Sequence, residues 1–196
     1  MKKMQNRLIL LVILSVVLLS ACSTGRNIEG ALNWNVKSYT YTDQDGKAFG
    51  SADLKGKVYI ANFIFTTCET VCPPITANMA RLQKMVKDKN IDVEFVSFSV
   101  DPEVDTPSML KTFAGKFTQD LSNWHFLTGY SQQDIEEFSK NSFRTLVDKP
   151  QSSDQVIHGT SIYLVDKNGK VMKSYNGLKN TPYDEIIQDI TILNKK

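Results

Sequence analysis

Cysteine is scarce in this chain. Three occur in 196 residues, far below the density of small exported domains that rely on a disulfide framework. Such a framework is not required, because a chain of ~150 to 200 residues buries about 70% of its unfolded surface. Charge of one sign is missing as well: 23 basic side chains face 21 acidic ones, for a formal +2. With no long basic run and no aromatic-interleaved basic patch, counterion release has little to act on, and nucleic acid is not an expected partner. Internal repeats and low-complexity tracts are absent, and the length suits one ordinary domain. The longest apolar run, Leu8 to Leu19, is broken only by Ser15. It falls short of the ~20 residues a membrane-spanning helix needs.

What flanks that run gives it a meaning. Lys2, Lys3 and Arg7 precede it, and Leu19-Ser20-Ala21-Cys22 ends it. This is the layout of a secretory signal, and small residues leading into a cysteine resemble the lipobox of bacterial lipoproteins. Residues 1–21 are therefore expected to be a lipoprotein signal peptide, with Cys22 as the lipidated N-terminus. Cleavage would leave 175 residues and a formal charge of −1. Several acyl chains on one cysteine supply the multiple signals that stable anchoring requires, so the domain is expected on the outer face of the bacterial cytoplasmic membrane. Residues 22–34 read as that N-terminus plus a flexible tether, since Ser23 to Asn33 is polar and holds Gly25 and Gly30. About 11 such residues reach only ~20 Å. The folded domain is expected over residues 35–196.

Strands and helices alternate through that domain. Ser38 to Thr42 alternates polar and aromatic side chains before the Asp45-Gly46 turn, which predicts a short hairpin. Val58 to Phe65 is almost continuously β-branched and aromatic, as in a central strand covered on both faces. Beyond Pro73 and Pro74, Ile75, Met79, Leu82 and Val86 recur at helical spacing, and proline is tolerated in a first turn. Val93 to Val100 is the next strand, and Asp105-Thr106-Pro107 predicts a helix to about Phe117. Trp124 to Leu127 reads as a strand, Ser131 to about Ser142 as a helix, and Lys149 to Gln155 as a polar loop. Val156 to Val165, the Asp166-Lys167-Asn168-Gly169 turn and Lys170 to Tyr175 form a hairpin. A last helix runs from Pro182, with Ile186, Ile190 and Leu193 on one face. This order implies an α/β fold with a central mixed sheet flanked by helices, in a thioredoxin-like layout.

With Cys22 assigned to lipid, two thiols remain, Cys68 and Cys72, between a central strand and a helix start. A four-residue separation rises ~6 Å in a turn or helix, within the roughly 4.4 to 6.8 Å that a disulfide tolerates between Cα atoms. The same spacing lets both sulfurs reach one metal ion, and a helix N-terminus favours the thiolate that either chemistry uses. Inert burial or a structural disulfide is the plain alternative. Of the two histidines, His125 lies among Trp124, Phe126 and Leu127 and reads as a packing residue. His158 stands at the start of the hairpin strand, which a thioredoxin-like fold brings beside the cysteines. Asp101 lies at the carboxyl end of a central strand, the edge where α/β proteins place their sites. It could orient the ligands or merely stabilise the Asp101-Pro102 turn.

Together these residues resemble a known family. Phe63 to Pro74 with its C-x-x-x-C-P core, Ser99 to Glu103 with Asp105-Thr106-Pro107, Trp124 to Gly129, and His158 followed by Tyr163-Leu164-Val165-Asp166 look like the Sco/SenC family of copper-binding cytochrome c oxidase assembly proteins. The resemblance covers about residues 35 to 190. It implies a thioredoxin-like fold and copper bound by Cys68, Cys72 and His158. It implies a membrane-anchored copper metallochaperone that assists assembly of the dinuclear copper centre of cytochrome c oxidase subunit II.

Donor chemistry agrees with copper, because two thiolates and an imidazole suit Cu(I), Cu(II) or Zn(II), and a structural zinc would want a closed fourth ligand. Thioredoxin-like reductases place a proline before the hairpin strand. Here Thr160 takes that position, and no proline lies between Gln151 and Ser161. The dinuclear copper motif of the oxidase itself is not met either, since Thr76 stands where it needs histidine and Met79 belongs to the helix stripe. The competing reading is a thiol-disulfide oxidoreductase in which Cys68 and Cys72 reduce the oxidase's copper-ligand cysteines or another exported protein.

Overall fold

The structure, a computed structural model, describes residues 28–153 and 155–195. The signal peptide, Cys22 and the first residues of the tether lie outside the described residues. A six-stranded mixed sheet runs in the order β1-β10-β9-β4-β5-β6. Its strands are β1 (Trp34–Asn35), β4 (Tyr59–Ile64), β5 (Glu94–Ser99), β6 (Trp124–Leu127), β9 (Ser161–Val165) and β10 (Lys170–Asn176). Strands β4, β5 and β6 are mutually parallel, and β9 lies antiparallel to β4, with Tyr59 facing Val165 and Ala61 facing Tyr163. Strand β4 is buried along its whole length, as its unbroken apolar run requires. Helices α1 (Cys72–Asp88), α2 (Pro107–Ala114), α3 (Gln132–Phe138) and α4 (Tyr183–Asn194) complete the thioredoxin-like α/β arrangement.

Local chemistry sets the helix starts. Thr106 caps α2 by accepting from the Met109 N–H, and Ser131 and Asp134 form a reciprocal capping box on α3. Helix α1 buries Ile75, Met79, Leu82 and Val86, the stripe read from the sequence. Among the described residues no helix is long and apolar enough to cross a membrane.

The sequence reading needs correcting at four places. Residues 28–34, read as flexible tether, are docked: Ile28 is buried, the Leu32 N–H donates to the Met172 carbonyl, and Trp34 pairs with Val171. Ile28, Leu32 and Trp34 carry enough apolar surface to offset the ordering of the polar residues between them. The second helix ends at Ala114, three residues before Phe117. The helix expected to Ser142 leaves the α-helical path at Phe138 and finishes as a π-turn, Ser139–Phe143, closed by Arg144 in the left-handed region. The extended segment from Val156 is also split. Ile157–His158 is β8, which leaves the main sheet to pair with β7 (Val147–Asp148) as a separate two-stranded ribbon. The remaining pair, β2 (Thr40–Thr42) and β3 (Ala48–Gly50), forms the expected hairpin.

Candidate metal centre

Parallel strands β4 and β5 deliver their carboxyl ends to one edge of the sheet, and the centre is built there. After β4 the chain turns through Thr66 and Thr67 to Cys68, then into α1, whose first residue is Cys72. Both cysteines are buried and unpaired. The β7–β8 ribbon brings His158 over them, so that one ligand atom each from Cys68, Cys72 and His158 lie within 4.8 Å of one another. The Cys72 Sγ is 3.3 Å from the His158 Nε2.

Hydrogen bonding gives each ligand atom a defined state. The His158 Nδ1 sits 2.9 Å from the Gly159 carbonyl oxygen. A carbonyl only accepts, so Nδ1 carries the proton and Nε2 keeps its lone pair facing the sulfurs. Burial pushes the His158 pKa down, against a smaller opposing effect from Gly159, which keeps the ring neutral and able to ligate. Burial also pushes the Cys68 thiol up. The Cys72 N–H at 3.4 Å, the Cys72 thiol and the Thr70 and Val71 backbone outweigh it and bring Cys68 below the usual thiol value. Pro73 and Pro74 have no N–H to offer, so Cys72 and the turn before it supply these donors. Burial, with the neighbouring Cys68, holds Cys72 far above the usual thiol range.

The two sulfurs therefore differ. Iodoacetamide added to the reduced, metal-free protein should modify Cys68 before Cys72, and the rate at Cys68 should rise with pH through a midpoint below that of a free thiol. Peptide mass mapping over a pH series checks this. Equal labelling of the two sites would contradict the assigned states.

His125 is elsewhere. It stacks on Phe49 with ring centroids 3.7 Å apart, on the β2–β3 side, in the packing role the sequence assigned it. Asp101 is at the predicted edge, but its carboxylate accepts from the Lys149 Nζ at 2.7 Å. Among the described residues no hydrogen bond joins it to Cys68, Cys72 or His158. The carboxylate that touches the cysteine loop is Asp105, which the sequence reading used as a helix-start signal and as part of the family motif, with no role at the site. Buried at 1% exposure, it accepts from the Thr66 N–H and hydroxyl and from the Ser99 hydroxyl.

The sequence model of the SCO1/SenC family matches residues 32–194, nearly all of the described chain. The chain belongs to the SCO1/SenC family. Three solved structures place it within that family. A SCO1/SenC family lipoprotein from Bacillus anthracis str. Ames is 60% identical, with a TM-score of 0.83 over 85% of this chain and 98% of that one. BsSco, described as having a disulfide switch and as a member of the Sco family of cytochrome c oxidase assembly proteins, is 54% identical, with a TM-score of 0.80 over 86% and 98%. Bradyrhizobium japonicum ScoI, solved with copper bound, is 28% identical, with a TM-score of 0.63 over 81% and 99%. The SCO1/SenC match spans β1 to α4, including the docked Leu32.

Proposed function

We propose that this chain is a copper metallochaperone, anchored at the outer face of the cytoplasmic membrane, that assists assembly of the dinuclear copper centre of cytochrome c oxidase subunit II. The observation that carries this reading is the convergence of two sulfurs and an unprotonated imidazole nitrogen on one buried point. Soft thiolates with one imidazole suit copper in either oxidation state, and three ligands leave room for an acceptor's ligand to enter. The relatives support it: copper is bound in Bradyrhizobium japonicum ScoI, and BsSco belongs to a family of oxidase assembly proteins.

Anaerobic titration of the reduced protein tests the binding step. Saturation at about one copper, with thiolate-to-copper absorption for Cu(II), is the expected result for such a donor set. A protein that takes up no copper under these conditions would overturn the reading. For the anchor, Cys22→Ser should abolish acyl-chain labelling in cells, and persistent labelling would refute the lipobox assignment. The Bacillus anthracis relative is described as a lipoprotein, which supports that assignment here.

The unequal thiols favour one secondary activity. A Cys68 of lowered pKa beside a thiol held protonated is the arrangement of an attacking and a resolving cysteine. In that reading the pair reduces a partner's disulfide and becomes a disulfide itself, so that two electrons and two protons pass to the partner. His158→Ala separates the two activities in cells. Loss of oxidase assembly by this variant, folded and anchored, favours copper delivery, whereas normal assembly alongside its loss in Cys68→Ser favours thiol exchange.

A further inference from the structure

His158 reaches the cysteines from a short, separate ribbon outside the main sheet. Its ribbon pairs over only two positions, Val147 with His158 and Asp148 with Ile157, and a two-stranded hairpin is marginal by itself. The ribbon has an inner face, with Val147 buried and His158 half-buried, and an outer face, where Asp148 and Ile157 are exposed. Its near end is tied to the π-turn, where the Ser139 hydroxyl donates to the Thr145 carbonyl at 3.2 Å. Its far end runs into the loop from Lys149 to Gln155, whose described residues after Lys149 are exposed or half-buried and bond only locally. Val147 and Val156 pack into the core, and the His158 ring meets Phe65 edge-on at 5.7 Å between centroids, but among the described residues only two side chains of the 147–158 segment make polar contacts with the body of the protein. One is His158, through Cys72, and the other is Lys149.

Lys149 Nζ donates to the Asp101 carboxylate at 2.7 Å and to Glu103 at 3.2 Å. Asp101 is a fixed post. It is 2% exposed, its N–H donates to the Ser99 hydroxyl, and its carbonyl accepts from the Val104 and Asp105 N–H groups. Four residues on, Asp105 holds Thr66 at the start of the cysteine turn. The segment from Asp101 to Asp105 therefore grips both halves of the centre, the cysteine turn through Asp105 and the histidine ribbon through Lys149. Because the Asp101 carboxylate is nearly buried, its pairing with Lys149 escapes most of the screening that makes surface ion pairs weak.

We propose that Lys149 is a positioning residue for His158: its ion pair with Asp101 straps the ribbon to the cysteine turn and so sets the imidazole's place in the copper site. The metal part of this inference rests on the copper reading above, while the strapping of the ribbon does not. Lys149 touches no ligand atom and acts only through the ribbon.

Two readouts are required together. In metal-free protein, the Val147 and His158 amides should exchange with solvent at least about tenfold faster in Lys149→Met than in wild type, as local opening becomes easier. Cu(II) affinity should fall about 10- to 100-fold, the usual range for losing a group that orients a ligand. Cu(I) affinity should fall less, because both sulfurs stay in place. Lys149→Arg, which can reach the same carboxylates, should restore both. If Lys149→Met leaves the buried Asp101 charge too costly for folding, Asp101→Asn with Lys149→Met removes that charge while still lacking the strap, and the same two changes are expected. Wild-type exchange rates in the ribbon would overturn the proposal even if Cu(II) affinity fell, since the effect would then be one of charge and not of position. Faster exchange with unchanged Cu(II) affinity would overturn it as well. Should wild type and His158→Ala bind copper equally, the copper reading fails, and the exchange rates still judge the strap.

Discussion

Oxidising Cys68 and Cys72 to a disulfide should lower copper affinity by on the order of 10³-fold or more, since losing a mere orienting group costs about 10- to 100-fold and this change removes two direct ligands. The structure makes the bond accessible: both thiols are free, one helical turn apart, and gathered within the 4.8 Å cluster. Each thiol gives up a proton and an electron to the oxidant, for example diamide, and no thiolate remains to bind metal. His158 alone is then a weak site. Titrating copper into diamide-oxidised and fully reduced samples checks this, with recovery of binding after reduction as the control. Equal affinity in both states would place the metal away from the cysteines.

Replacing His158 with alanine should separate the two oxidation states of copper. Cu(II) favours nitrogen donors, so its affinity should drop by about 10- to 100-fold or more, while Cu(I) keeps two soft sulfurs and should lose far less. The neutral ring with its bare Nε2 is the donor being removed. The Cys68–Cys72 disulfide should still form, because its geometry depends on the backbone between residues 68 and 72. Competition titrations with Cu(I) and Cu(II) chelators give the two affinities. A fall in Cu(I) binding as large as that in Cu(II) would mean that His158 supports the cysteine turn and is not simply a ligand.

Much of this was legible in the sequence where periodicity had room to show. The unbroken β4 run, the Ile75-Met79-Leu82-Val86 stripe and the Ile186-Ile190-Leu193 face are long enough to carry a pattern, and each became the expected element. Strands β1, β7 and β8 are two residues each, too short for any alternation to register. Thus His158 was found by its place in a motif, while the ribbon that carries it was not. The docked segment from Ile28 was hidden by the polar and glycine residues around its few apolar anchors. The site roles of Asp105 and Lys149 escaped for another reason: the partners that give them those roles, Thr66 and Asp101, are 39 and 48 residues away, and nothing local marks a side chain whose role depends on a distant one.

Copper-edge X-ray absorption on the reduced, copper-loaded protein tests the central claim most directly, because it reads the metal's neighbours. The account expects two sulfur scatterers and one imidazole nitrogen around copper, with one sulfur lost in Cys68→Ser and the imidazole signature lost in His158→Ala. A shell of nitrogen and oxygen alone, or two sulfurs persisting in Cys68→Ser, would contradict it.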